Sequence, residues 1–185
     1  MMDALATSEC VEVDTNDAPA PTGRSPRRLV LQILGAWAVI VVVVLAAAWA
    51  FIGTGEVAGP SMEPTLFDGD TLVVATRSTP EVGDIVTAEV SDSRGDRSVV
   101  KRVIGVAGDE VSYADCQLVR NGQPIDEPFV HPDANLGSCG DGFSITVVPE
   151  GTVWLMGDNR ARSSDSRVHG AFDLDQVIGV LLFTL

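Results

Sequence analysis

The feature that most constrains this chain of 185 residues is an uncharged apolar segment near its N-terminus. No Asp, Glu, Lys or Arg occurs between Leu29 and Ile52. A helix over this segment would be ~36 Å long at about 1.5 Å per residue, enough to cross a hydrocarbon core of about 30 Å. We therefore predict one transmembrane anchor helix over residues 29–52.

The charges on either side of this segment predict its orientation. Arg24, Arg27 and Arg28 precede it, whereas the next basic residue is Arg77. Because the cytoplasmic flanks of membrane spans are enriched in Lys and Arg, we expect a single-pass cell-membrane protein, in contact with lipid, with its N-terminus in the cytoplasm. A cleavable signal peptide is the alternative, since Ala48-Trp49-Ala50 resembles a cleavage site, but the apolar stretch is longer than a typical signal-peptide core.

Residues 1–28 and 53–185 differ in composition. The first range is polar without an apolar period, which predicts a disordered cytoplasmic tail. In the second range, short runs rich in β-branched residues alternate with turn residues. We predict a mostly β fold, an extracytoplasmic antiparallel β-rich domain over residues 53–185, with strands at Thr71–Thr76, Asp84–Val90, Ser98–Val106, Gln117–Arg120, Gln123–Ile125, Phe143–Val148, Thr152–Met156 and Val177–Leu185.

The charge of the chain argues against nucleic acid as a partner. The formal net charge is −14, and phosphate binding needs clustered Lys and Arg. Among the 12 basic residues only Lys101 is a lysine. Any amine chemistry in a side chain therefore has a single candidate.

The three cysteines fall on both sides of the predicted membrane. Cys10 lies in the reducing cytoplasmic tail, whereas Cys116 and Cys139 lie in the exported domain, where disulfides persist. We predict a Cys116–Cys139 disulfide, which would contribute about 3 kcal/mol by restricting the unfolded chain. Two buried thiols are the alternative. We expect no metal site, because no C-x-x-C motif or histidine lies nearby at ligand spacing.

Ser61 is a candidate nucleophile, because Pro60 and Pro64 limit the backbone around it. A serine alone is a poor nucleophile and needs a base. The two histidines, His131 and His169, have no recognisable triad setting, and no G-x-S-x-G motif occurs. The base therefore has to be another residue type.

Lys101 is the remaining candidate base, within the predicted strand Ser98–Val106. Strand alternation places its side chain on one face with Val99 and Val103. Loss of hydration there lowers an amine pKa, and a base acting near neutrality needs a fall from ~10.4 by about three units, which costs ~4 kcal/mol. The alternative is a surface lysine whose amine reaches water.

A third cluster, residues 157–167, is dense in hydroxyl, carboxylate and guanidinium groups. Such a loop suits a polar network that orients a base. By composition alone it is equally typical of a solvated loop or a cation site.

Together these segments resemble the bacterial type I signal peptidases, also called leader peptidases. The resemblance covers residue 59 to about 185, in the family's order and spacing. Its three motifs are Ser61-Met62 with Pro64-Thr65-Leu66, Val100-Lys101-Arg102-Val103-Ile104-Gly105, and Gly157-Asp158-Asn159 with Ser163 and Asp165-Ser166-Arg167.

The resemblance implies a β-rich serine protease without a cofactor. Ser61 would attack the scissile carbonyl, and Lys101 would take its proton. Ser163 would hydrogen-bond the Lys101 amine and orient it. Asp165 and Arg167 would form the ion pair that holds the loop.

One departure from the family concerns the oxyanion hole. Some members carry a serine two residues before the nucleophile, where this chain has Gly59. Backbone N–H groups, notably that of Ser61, would then bind the oxyanion. Asp158 and Asn159 would be structural.

The resemblance also implies the substrates, which are secretory pre-proteins carrying signal peptides. A substrate would bind as an added strand, with small side chains at the first and third positions before the cut. Two rival interpretations are a self-cleaving repressor-type peptidase, which is cytoplasmic and binds DNA, and a non-catalytic membrane-tethered β-domain. The apolar segment and acidic charge argue against the first, and the intact Ser61, Lys101 and Ser163 against the second.

Overall fold

The N-terminal helix of the computed structural model is long and apolar. The described residues are 26–92, 95–130 and 142–185, and the chain separates into two units between Leu45 and Ala46. Helix α1 spans Pro26–Trp49. Its window Pro26–Ala47 has a mean hydropathy of 2.8, and none of that window is buried, so by length and composition it can cross a membrane.

The bounds of α1 differ from the predicted anchor over residues 29–52. The helix begins earlier, at Pro26, whose fixed φ suits a first helical position. It ends at Trp49, and Ile52 belongs to the first strand. Of the predicted tail, residues 1–25 lie outside the described residues.

The second unit contains a seven-stranded antiparallel sheet, in the order β1-β2-β11-β3-β4-β9-β10. The C-terminal strand β11 lies between β2 and β3, which closes the chain back into the sheet. The bounds are β1 Ile52–Glu56, β2 Thr71–Thr76, β3 Ile85–Asp92, β4 Gly95–Val106, β9 Thr152–Met156, β10 Phe172–Asp173 and β11 Val177–Thr184.

A second antiparallel sheet has the order β7-β6-β5-β8. Asn121 and Gly122 connect β6 to β7 with positive φ angles of 52° and 74°, as the predicted tight hairpin requires. The strand bounds are β5 Glu110–Ala114, β6 Gln117–Arg120, β7 Gln123–Ile125 and β8 Phe143–Val147, and the short helix α2 of the second unit is Ser166–His169.

Cys116 lies in the turn between β5 and β6 and is disulfide-bonded. The other two cysteines, Cys10 and Cys139, lie outside the described residues, as does His131. The pairing of Cys116 with Cys139 therefore stays a prediction.

The mostly β, antiparallel fold is confirmed, but three strands were not predicted. β1 contains two glycines, which are depleted in strands, and its pairing with β2 makes it a strand. β5 is only five residues long and follows β4 closely. β10 has two residues, too few for a sequence pattern.

The core of the second unit lies around β3, β4 and β9. Val86, Val103 and Leu155 are all 0% exposed and pack in one cluster with Phe172. Every residue of β9 is buried, as expected for a strand with neighbours on both edges and cover on both faces. This core supports the loops that leave β4 and β9.

We expect Leu155→Ala to lower the free energy of unfolding by about 2–5 kcal/mol, because a fully buried leucine leaves a cavity. Ile145→Ala is the matched control, since Ile145 is 73% exposed on β8 and should change stability by less than about 0.5 kcal/mol. Chemical denaturation of the full chain in detergent measures both. Equal losses in the two variants would contradict the assignment of this core.

Candidate active site

Ser61 lies in the loop between β1 and β2. Backbone hydrogen bonds hold the two ends of this loop together. The N–H of Val57 donates to the Asp70 carbonyl and that of Gly69 donates to the Val57 carbonyl, both at 2.9 Å. The next side chain, Met62, is fully buried in the core. The serine is therefore fixed between a closed loop and a core anchor.

The position two residues before this serine needs a glycine for conformational reasons. Gly59 has a φ of +83°, in the left-handed region that side chains disfavour. Its N–H donates to Asp68 Oδ1 at 2.6 Å. No atom lies within 4 Å of where its Cβ would be, so space is not the constraint. Among the described residues, no backbone carbonyl accepts a hydrogen bond from the Ser61 N–H.

Lys101 reaches Ser61 from strand β4. The lysine is only 3% exposed, so the surface-lysine alternative is wrong. Its Nζ lies 2.9 Å from Ser61 Oγ and donates to the Val100 carbonyl at 2.7 Å. With one N–H held by that carbonyl, a neutral amine can direct its lone pair at the hydroxyl proton.

The environment lowers the pKa of the Lys101 amine from 10.5 to about 8. Burial is the main cause, because the charged form loses hydration. Asp165 opposes this fall, whereas Arg97 adds to it. With a pKa of about 8, about a tenth of the amines are neutral at pH 7 and about half at pH 8.

Neither Ser98 with Lys101 nor Ser61 with His169 forms a serine–base pair. Ser98 stands three residues before Lys101, but it is exposed, and the amine bonds to Ser61 instead. The ring Nε2 of His169 lies 2.8 Å from the Ser164 hydroxyl. The described histidine is therefore paired with a serine other than Ser61.

The loop after β9 is held by a buried ion pair. Arg167 donates from Nε and Nη2 to the two carboxylate oxygens of Asp165, each at 2.8 Å, and Asp165 is 0% exposed. The Gly157 N–H donates to the same carboxylate at 3.0 Å. Burial alone would raise the pKa of Asp165, but Arg167, with smaller contributions from Ser163 and Gly157, holds it below its usual value.

The hydrogen bond expected between Ser163 and the Lys101 amine is not made. Within the described part of the chain, the buried Ser163 Oγ has no hydrogen-bond partner of standard geometry, although it lies close enough to Asp165 to affect its pKa. The amine donates instead to the Val100 carbonyl, one residue before it on the same strand.

The same loop packs its backbone against the nucleophile. The Asn159 N–H donates to the Ser61 carbonyl at 3.0 Å. A Cβ at Gly157 would lie 2.5 Å from that carbonyl oxygen and would also overlap Ser163 Oγ. Only glycine therefore allows this approach.

Sequence reasoning missed a polar network beside Ser61 and Lys101. Arg102, next to Lys101, donates from Nε and Nη2 to both oxygens of Asp158 at 2.9 and 2.7 Å. The Thr65 hydroxyl donates to Asp158 Oδ2 at 2.5 Å, and Asp158 is 0% exposed. One carboxylate thus joins the nucleophile loop, β4 and the loop after β9. The available signal in the sequence was Arg102, a basic residue directly after Lys101.

A groove of about 460 Å³ begins at Ser61 and Lys101. β1 forms one wall, and β4 forms the other with Arg97–Lys101. β9 pairs only with the Arg102–Val106 half of β4, so the groove edge of the first half carries no strand among the described residues. The floor consists of four side chains, Leu72, Val74, Thr87 and Ile178.

We expect Lys101→Met to stabilise the folded chain at pH 7. The native pKa of about 8 lies below the unfolded value of 10.5, so below pH 8 folding carries a full penalty for a buried charged amine. The difference corresponds to about 3 kcal/mol. The penalty falls as pH rises from 8 to 10.5, because the unfolded chain binds more protons in that window.

Denaturation of the full chain at pH 7 and pH 10 measures this effect. Arg162→Met is the matched control, because Arg162 is exposed, and this variant should not be more stable than wild type at either pH. A Lys101→Met variant that is less stable at pH 7, or whose advantage does not shrink toward pH 10, would contradict the buried amine.

Comparisons with known proteins identify one family. The family model described as "Signal peptidase, peptidase S26" matches residues 30–185. Signal peptidase I of Bacillus caldolyticus is 34% identical over 161 residues, covering 80% of this chain and 86% of the relative. Signal peptidase IB of Staphylococcus aureus is 34% identical over 149 residues, covering 68% and 73%.

Among solved structures, a signal peptidase I from Enterococcus faecalis V583 is 32% identical. It matches with a TM-score of 0.46 over 56% of this chain and 97% of that one. The family match spans well over half of the sequence, including all three motif segments. The chain therefore belongs to the signal peptidase family, peptidase S26, as a serine protease of type I that removes signal peptides.

Proposed function

We propose that this enzyme cleaves secretory pre-proteins with Ser61 as nucleophile and Lys101 as general base. The observation that carries the proposal is the 2.9 Å distance between Lys101 Nζ and Ser61 Oγ at a lysine that is 3% exposed. A serine needs a base within hydrogen-bond reach, and the base needs a pKa near the working pH. Lys101 meets both conditions.

Catalysis proceeds through an acyl-enzyme. Lys101 accepts the hydroxyl proton as Ser61 Oγ attacks the scissile carbonyl. The protonated amine then gives that proton to the leaving amine, which departs as the N-terminus of the mature protein. A water molecule, deprotonated by Lys101, releases the signal peptide from Ser61. The Ser61 N–H, not engaged by a backbone carbonyl of the described chain, is the oxyanion donor.

Ser163, Asp165 and Arg167 support this chemistry without touching the substrate. The Asp165–Arg167 pair holds the loop that approaches Ser61. Ser163 lies against this pair, and its buried hydroxyl is available to accept a hydrogen bond from the protonated amine.

The substrate binds as an extended strand in the groove between β1 and β4. The groove edge of Arg97–Lys101 supplies backbone donors and acceptors for such a strand. Alternate side chains of the strand then point at the floor, to which Leu72, Val74 and Ile178 contribute apolar side chains. We infer cleavage after small-x-small sites from the family to which the chain belongs.

Helix α1 anchors the enzyme, with the N-terminus in the cytoplasm and the catalytic unit outside. Arg27 and Arg28 on the N-terminal side support this orientation. Because enzyme and pre-protein share one membrane, their local concentration is high and tight substrate binding is unnecessary.

We expect the purified full chain to cut a pre-protein with an Ala-x-Ala site, and Ser61→Ala and Lys101→Ala each to lower kcat by at least about a thousandfold. Ser144→Ala, at an exposed serine of β8, is the matched control and should cleave at the wild-type rate. Mass spectrometry of the products reads out rate and site together. Full activity of Lys101→Ala would show that another group is the base.

The pH dependence of kcat/KM should follow the neutral form of Lys101. Since the amine acts unprotonated, the rate should rise through an apparent pKa of about 8 and fall about tenfold per pH unit below it. A rate profile between pH 6 and 9 measures this value. A flat profile over that range would contradict a lysine base.

A further inference from the structure

Arg160 lies in the loop after β9, and its side chain is buried. It is 1% exposed, and its guanidinium lies 5.0 Å from the centre of the Tyr113 ring. Its Nε donates to the Gly157 carbonyl at 3.1 Å. A buried cation of this kind needs a partner of opposite charge.

That partner is Glu127, which lies outside all three motif segments. Arg160 Nη1 donates to Glu127 Oε2 at 2.8 Å and Nη2 donates to Oε1 at 2.6 Å. The two side chains are 0% and 7% exposed. Glu127 follows β7, so the pair joins the second sheet to the loop that carries Asp165 and Arg167.

From Arg160 the contacts continue to the nucleophile. The Arg160 carbonyl accepts from Arg167 Nη2 at 2.7 Å, and Arg167 holds Asp165. One residue before Arg160, the Asn159 N–H donates to the Ser61 carbonyl at 3.0 Å. The Arg160 carbonyl and the N–H of the preceding residue, Asn159, therefore both contact groups of the candidate active site.

We propose that Glu127 is a positioning residue for catalysis, whose carboxylate fixes Arg160 and through it the loop that contacts Ser61. The inference rests on the Ser61/Lys101 function proposed above. The second sheet then has a catalytic role, because it supplies the carboxylate that fixes this loop.

Glutamine at this position keeps the shape of the side chain and removes the charge. Arg160 then stays buried beside a neutral amide that can accept only one of its two bonds. The guanidinium has to move toward water or another acceptor, and the Gly157 and Asn159 backbone moves with it. Glu127 does not line the groove, so we expect substrate affinity to change little.

The test uses the full chain in detergent with Glu127→Gln, and Glu110→Gln as the matched control. Glu110 is an exposed acid of the same sheet. We expect Glu127→Gln to lower kcat by about tenfold or more, with KM within about threefold of wild type. The control should match wild type in both constants.

Lys101 provides a second measurement that does not depend on turnover. It is the only lysine, so ¹³C-labelled lysine gives one side-chain resonance to titrate. Release of the loop should hydrate the amine, and since burial is the main cause of its lowered pKa, the value should rise above about 8 in Glu127→Gln.

A folded Glu127→Gln with wild-type kcat and an unchanged lysine titration would overturn the inference, even if its melting temperature fell. Should Glu127→Gln not fold, Glu127→Asp keeps the charge and shortens the reach, and wild-type kcat in that variant would overturn the inference equally. Failure of wild type and control to cleave would instead refute the proposed function. In that case the lysine titration alone decides whether Glu127 positions the site.

Discussion

The catalytic unit depends on one amine held out of water against one hydroxyl. Burial is the main cause of the lowered pKa of Lys101, and nearby charges only adjust it. An unpaired Asp165 carboxylate would favour the protonated amine strongly. Arg167 binds both oxygens of that carboxylate, Arg97 also lowers the pKa of the amine, and burial remains the largest effect.

The site is assembled by contacts between segments that are far apart in the sequence. Lys101 and Ser61 are 40 residues apart, and Thr65 bonds to Asp158 over a separation of 93. The loop after β9 contacts the nucleophile loop through a backbone group, the Asn159 N–H, and through a fully buried carboxylate, that of Asp158. Groups of this kind have few alternative partners, which suits a site that must hold its geometry within a fraction of an ångström.

Sequence patterns predicted the features that depend on residues close together in the chain. The strands Thr71–Thr76 and Thr152–Met156 and the Asn-Gly hairpin follow from residue preferences. The inward direction of Lys101 follows from strand alternation. The Val100 carbonyl as partner of the amine, in place of Ser163, depends on distances of a few tenths of an ångström that no sequence pattern encodes. The role of Glu127 was equally invisible, because its partner belongs to another sheet.

One edge of β4 pairs with β9 over only half of its length, and this has a consequence for what the enzyme can attack. An exposed strand edge normally invites other sheets to add to it, which leads to aggregation. Here β1 forms the opposite wall of the same groove, so strands of one sheet stand on both sides of the gap. With the strand-like substrate binding proposed above, the enzyme would select by conformation before it selects by side chain. A cleavage site inside a folded domain would then stay intact however small its residues are, and the folded mature part of an exported protein would be spared.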